Sequence, residues 1–257
     1  METAASFRRV HPSTAPAVPL CLAWTGPDGP HPVPRRIIRD PEPRRASPAL
    51  AAVCDAGGYH ANGEAGVPFD FSEHMRRLCA DIAARCPELR HIDVRRLLFG
   101  VTQARSARGH GLQAKITPMR FHGGAPTRRR RGQVFQVQRY WVDGVEILYL
   151  VTFCLPRFLD QSFEEKFITV FHELYHIDPA FNGDLRRHGG RYAIHTRSQK
   201  RYDQQMAGLA REYLAGGADP ALHSFLRLTF RQLEQLHGTV FGMCVPVPKL
   251  VPIPDER

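Results

Sequence analysis

The chain has 257 residues, 43% of them hydrophobic, and a formal net charge of +10. That is enough for one sizeable core with flanking extensions, and too apolar for a chain disordered throughout. No stretch approaches the roughly 18 continuous apolar residues of a membrane helix. The apolar run after Arg8–Arg9 is too short and proline-broken for a secretion signal, so a cytoplasmic location is expected.

Ten prolines fall before position 50. Residues 1–67 therefore read as a disordered or loosely attached Pro-rich extension with no part in chemistry. The folded domain is expected over 68–247, with a tail over 248–257. It opens with a helix in FDFSEHMRRLCADIAARCPEL, where Ser72 suits an N-cap. Met75, Leu78, Cys79, Ile82 and Cys86 line one face, and Pro87 ends it. VRRLLFGVTQA, GLQAKITPMRF and QVFQVQRYWV read as strands, the last two separated by a loop, HGGAPTRRRRG, that holds Arg128 to Arg131 exposed. In WVDGVEILYLVTF, Asp143–Gly144 is a hairpin turn and Val145 to Phe153 a mostly apolar strand.

DQSFEEKFITVFHELYHI follows, with Phe163, Phe167, Val170, Phe171 and Leu174 at three- and four-residue steps, an amphipathic helix. YDQQMAGLAREYLAGG is a second helix, closed by Gly216–Gly217. DPALHSFLRLTFRQLEQLHG is a third, with Asp219 as N-cap. One helix, a mainly antiparallel sheet and then helices make an α+β fold.

Two compositional features bear on partners. From Val101 to Tyr140 there are nine basic residues and no acid. The segment centred on residues 105–131 is either a solvated surface or a contact for nucleic acid or an acidic partner. The six cysteines form no CxxC pair, which argues for free thiols rather than a zinc ribbon.

The chemistry concentrates in TVFHELYHIDPAF. His172 and His176, four apart, project from one helical face and can reach one metal ion, with Glu173 beside them to accept a proton from a metal-activated water and pass it to a leaving amine. An HExxH can arise by chance, but this one lies on an amphipathic helix directly behind a hairpin strand. A catalytic zinc needs a third protein ligand, and His195 and His188 are the downstream candidates. His195, just before the next helix, is the better supported, because His188 sits in a glycine turn. Tyr192, Tyr202 and Asp203 could orient a ligand or hold an oxyanion, although ordinary packing explains each as well.

LPRFLDQSFEEKFITVFHELYHIDPAFNGDLRRHGGRYAIHTRSQKRYD resembles the bacterial and phage metallopeptidases of the phage-type family. The resemblance runs from about Phe69 to Val247. It implies a compact zincin-like domain, similar in style to SprT-like proteins, with Zn2+ on His172 and His176 and Glu173 as base. Three readings remain open at this level: a zinc metallopeptidase acting on protein or peptide, such a peptidase recruited to DNA, and a non-catalytic zinc-containing nucleic-acid-binding protein. In the first, Val145 to Phe153 would bind an extended peptide as an added strand.

Overall fold

The computed structural model describes residues 21–24, 30–32, 35–40, 66–105, 111–187 and 199–254. The strands are β1 (Cys21–Trp24), β2 (Pro30–Pro32), β3 (Arg35–Ile37), β4 (Phe69–Asp70), β5 (Leu97–Gln103), β6 (Ala114–Pro118), β7 (Thr127–Arg130), β8 (Gln133–Val137), β9 (Tyr140–Val142), β10 (Val145–Glu146), β11 (Tyr149–Leu155), β12 (Val240–Met243) and β13 (Leu250–Ile253). The helices are α1 (Phe71–Arg85), α2 (Phe163–Tyr175), α3 (Gln199–Ala215), α4 (Pro220–His223) and α5 (Phe230–His237).

The main sheet has the order β3-β12-β5-β11-β6, with β4 also on β12. Among the described strands, the expected mainly antiparallel sheet holds only for the two smaller sheets: in the main sheet β5–β11, β5–β12 and β4–β12 are parallel, the first over seven residues, and only β3–β12 and β6–β11 are antiparallel. Alternation sorts β5 and β11 by face. Leu97, Phe99, Val101, Tyr149, Val151, Phe153 and Leu155 join α1 and α2 in the large core. Leu98 and Leu150 turn to the other face and meet Met119, Val137, Tyr140 and Ile147 in a smaller one.

β11 lies between β5 and β6, so its backbone groups are already paired on both sides. The expected Val145–Phe153 strand divides into β10, a two-residue edge strand of a separate sheet, and β11, which offers no peptide-binding edge. The free edge beside α2 belongs to β6, which ends in Pro118 as edge strands tolerate. The Asp143–Gly144 turn is present, with φ of 49° and 76°.

Three other expectations change. Asp70, not Ser72, caps α1 through its bond from Glu73 N–H (3.1 Å). Ser72, the second residue of the helix, is buried, and its Oγ accepts the Met243 N–H at 2.8 Å and ties α1 to β12. Arg128 to Arg130 lie on β7, an exposed edge strand of the β13-β8-β7 sheet, not in a loop; Arg131 and Gly132 make the turn at φ of 50° and 80°. The third C-terminal helix breaks into α4, a 3-10 turn at Ser224–Arg227, and α5, which Thr229 and Gln232 start with a capping box.

The stretch before residue 67 is not uniformly separate from the domain. Among its described residues, β1 pairs with β9 and β3 pairs with β12, and Ile38 is 1% exposed within the large core. Deleting residues 1–67 removes that side chain, and the expected cost is about 2–4 kcal/mol. A chemical denaturation midpoint for the truncated chain equal to that of the full chain would contradict this.

Lys166 ties α2 to the C-terminal helices. Its Nζ is buried and donates to Leu226 O (2.9 Å) and Leu228 O (2.7 Å). Burial pulls its pKa down to about 8, against a small opposing pull from Asp160. With the folded pKa below the unfolded one, the unfolded chain binds more protons between about pH 8 and 10.5, so this group's contribution to stability rises with pH across that window. Lys166→Met removes the titration. The stability of the wild type relative to that variant should therefore rise by about 1 kcal/mol from pH 7 to pH 9. A difference independent of pH, measured by urea denaturation, would contradict it.

Candidate metal centre

α2 is strongly specified at its start. Ser162 and Glu165 form a reciprocal capping box, and two acids in the first turn suit the helix dipole. The helix buries Phe167, Val170, Phe171 and Leu174 against the sheet. This fixes the opposite, chemical side: His172, Glu173 and, as C-cap, His176.

The two imidazoles converge. His172 Nε2 and His176 Nε2 are 2.9 Å apart, with ring planes at 81°. At zinc–nitrogen distances of about 2.0–2.1 Å a single ion reaches both, so the described residues fit a metal. His176 is held from behind, because the chain reverses after it. Arg186 N–H donates to His176 O (2.7 Å), Ile177 bridges Leu185, and Arg186 stacks on Tyr175 at 3.9 Å. The loop between them is pinned to the sheet by Tyr149, whose hydroxyl accepts the Gly183 N–H (3.0 Å) and donates to Asp184 O (2.8 Å).

Glu173 is buried, and burial raises its carboxyl to about 7, partly offset by a hydrogen bond from the Ile116 N–H. That bond follows from the β6 register. Cys154 N–H donates to Gln113 O at 2.8 Å, so alternation turns the backbone groups of Ala114 and Ile116 away from β11, toward α2. The carboxylate therefore sits between the His pair and the free edge of β6. A carboxylate with a near-neutral pKa is suited to accept and return a proton.

α3 closes the third side. The Tyr202 ring stands 4.8 Å from that of His172 and 5.9 Å from that of His176, and Asp203 Oδ1 lies 4.0 Å from His172 Nδ1. Tyr202 and Asp203, named from sequence as possible orienting groups, thus do adjoin the His172–His176 pair, and a carboxylate near the far nitrogen of a His that binds a metal favours the ligating tautomer. His188, His195 and Tyr192 lie outside the described residues. Among the described residues no third His, Cys, Asp or Glu joins His172 and His176 in one metal cluster. Two contributions had no sequence signal that spacing could reveal: the Ile116 amide, and the wall that Leu112 to Ala114 form opposite α2. No helix among the described residues is long and apolar enough to cross a membrane.

An α+β domain whose amphipathic helix presents HExxH beside a free sheet edge has the attributes of a metal-dependent hydrolase. The family model described as "Putative phage metallopeptidase" matches residues 70–208, more than half of the chain. The chain belongs to this family. The match takes in α1, the β5–β11 region, α2 and the first part of α3, and stops short of α4, α5, β12 and β13. No curated protein and no solved structure matches.

Proposed function

We propose that the protein is a zinc-dependent peptidase that hydrolyses peptide bonds with Glu173 as general base. The observation that carries this reading is the convergence of the His172 and His176 Nε2 atoms at 2.9 Å with the buried Glu173 carboxylate beside them. Zn2+ held by these two imidazoles and a third ligand, His195 or His188, would supply a Lewis acid that lowers the pKa of a water and polarises the scissile carbonyl. Glu173 accepts the proton of the attacking water and returns it to the departing amine. On the outward side of β6 the Ile116 N–H is engaged by Glu173, and the remaining backbone groups of Ala114 and the Ile116 carbonyl would align an extended peptide as an added strand, the role assigned from sequence to Val145–Phe153. Asp203 and Tyr202 hold the His172 ring in place. The test is incubation of the zinc-loaded protein with an unfolded protein substrate, followed by mass spectrometry of the products. New termini that require Glu173 support the reading, and a zinc-loaded protein that leaves a broad peptide library intact overturns it.

A second reading adds a nucleic-acid contact to this enzyme. Arg128, Arg130 and Arg131 are exposed on the paired β7–β8 ribbon and its turn, and no carboxylate pairs with them among the described residues. Such a cluster fits phosphate backbones rather than base edges. Binding to duplex DNA should weaken steeply with salt and show little sequence preference. Replacing Arg128 to Arg131 with Ala should lower the magnitude of the log–log salt slope by about three to four. No binding at low salt would exclude the contact.

A further inference from the structure

A groove of about 410 Å³ runs away from the metal centre along α2. Glu165, Ile168, Thr169 and His172 line it from the helix at i, i+3, i+4 and i+7, a single face. Leu112 and Ala114, leading into β6, form the facing wall. Glu173 and His172 stand at one end and Glu165 about two turns away, roughly 10 Å along the axis.

The chemistry of the walls is graded. Between the ends the apolar side chains are Leu112, Ala114 and Ile168, and Leu112 is 52% exposed. At the far end Glu165 uses one oxygen only: Oε2 accepts the Ser162 N–H (2.8 Å) and the Ser162 hydroxyl (2.7 Å). Those bonds hold its carboxyl below the ordinary range, so it is charged at neutral pH. Oε1 carries no hydrogen bond among the described residues and lies on an exposed side chain. Asp203 adds a second carboxylate, and none of the described residues lining the groove is Lys or Arg, although the Arg157 guanidinium stands against its Gly111–Leu112 wall and donates to Leu112 O (3.1 Å). This is a local acidic site on a chain of net charge +10.

Gln113, Gln161 and Thr169 also line the groove, with the Thr169 hydroxyl donating to Gln161 Oε1 (3.2 Å). A mixed groove with apolar contacts along it and a fixed carboxylate at its end suits a long aliphatic stem with a cationic head. We propose that the groove is a specificity subsite for a lysine or arginine side chain of the substrate, with Ile168 and Leu112 against the stem and Glu165 Oε1 on the head. The proposal rests on the peptidase reading and names the substrate class for it. The capping box presets the Glu165 carboxylate, which lowers the ordering cost of the ion pair.

The test uses the full-length zinc-loaded chain and peptides that differ at one position, scanned across the residues on either side of the cleaved bond. At one position Lys and Arg should exceed norleucine, which has a similar stem and no charge, by roughly tenfold or more in kcat/KM. Glu165→Gln keeps the S-x-x-Q form of the capping box and hence the helix start. It should bring the Lys and Arg values down to the norleucine value. Equal rates for Lys and norleucine at every position, or a Lys preference that survives Glu165→Gln, would overturn the proposal. A parallel arm separates this from failure of the peptidase reading. Fluorescence anisotropy of the labelled peptides on the Glu173→Gln chain reads the same Lys-over-norleucine ratio without turnover. If no peptide is cleaved, the peptidase reading falls, and the binding ratio still decides the subsite.

Discussion

Glu173→Gln should retain about one zinc per chain and lose kcat by a factor of about 10²–10⁴, the usual contribution of a positioned proton-transfer group. The amide keeps the shape of the side chain, but it cannot take the proton of the attacking water. Its environment sharpens the expectation. The carboxyl is buried and raised to about 7, with the Ile116 N–H on one side and the His pair on the other. In Gln the oxygen can still accept the Ile116 bond, so β6 and α2 should stay in register and the melting temperature should change little. Full activity in the purified variant would remove Glu173 from the mechanism. Loss of zinc along with activity would instead assign it a structural part in the centre.

The second large effect concerns the ligands. His176→Ala and His172→Ala should each take zinc content from about one per chain to near zero, since each removes half of the helix-borne pair. His176 is the more constrained of the two: 5% exposed, at the end of α2, with Arg186 N–H on its carbonyl. Its removal should also cost stability by leaving space in the packing next to Tyr202. His195→Ala should weaken zinc binding strongly, and His188→Ala should leave zinc content nearly unchanged, because His195 lies four positions before the start of α3 while His188 is followed by Gly189–Gly190. Metal analysis by inductively coupled plasma mass spectrometry reads all four. The reverse pattern for the last two would exchange their roles.

How much of this is legible in the sequence depends on whether the deciding contact is local. α2 is legible because its signals lie within one segment: the Ser162–Glu165 cap, the apolar period and the two histidines. β11 is not, because a strand buried on both faces reads as a continuous apolar run, and the run itself does not say whether the strand is central or at an edge. The free edge beside α2 is accordingly β6, one strand over from the strand the run suggests. At α1 the cap falls two residues earlier than the Ser72 expected from sequence, on Asp70, at the end of the strand that pairs with β12. At the C-terminus the apolar period continues across Leu228–Thr229, which hid the break, although Thr229 and Gln232 carry a cap signature that marks it. The Arg128–Arg131 run looks like a loop by charge and flanking glycines, and pairing with β8 makes it a strand. The amide of Ile116 on Glu173 crosses 57 residues, and no periodicity or motif announces it.

The most direct test of the account is chelator-reversible hydrolysis. The full-length protein is stripped of metal, dialysed, and assayed by mass spectrometry for cleavage of an unfolded protein, with and without one equivalent of Zn2+. The account predicts no cleavage in the stripped protein, cleavage on return of zinc, and none in zinc-loaded Glu173→Gln. Cleavage that is indifferent to metal, or that persists in Glu173→Gln, would contradict it.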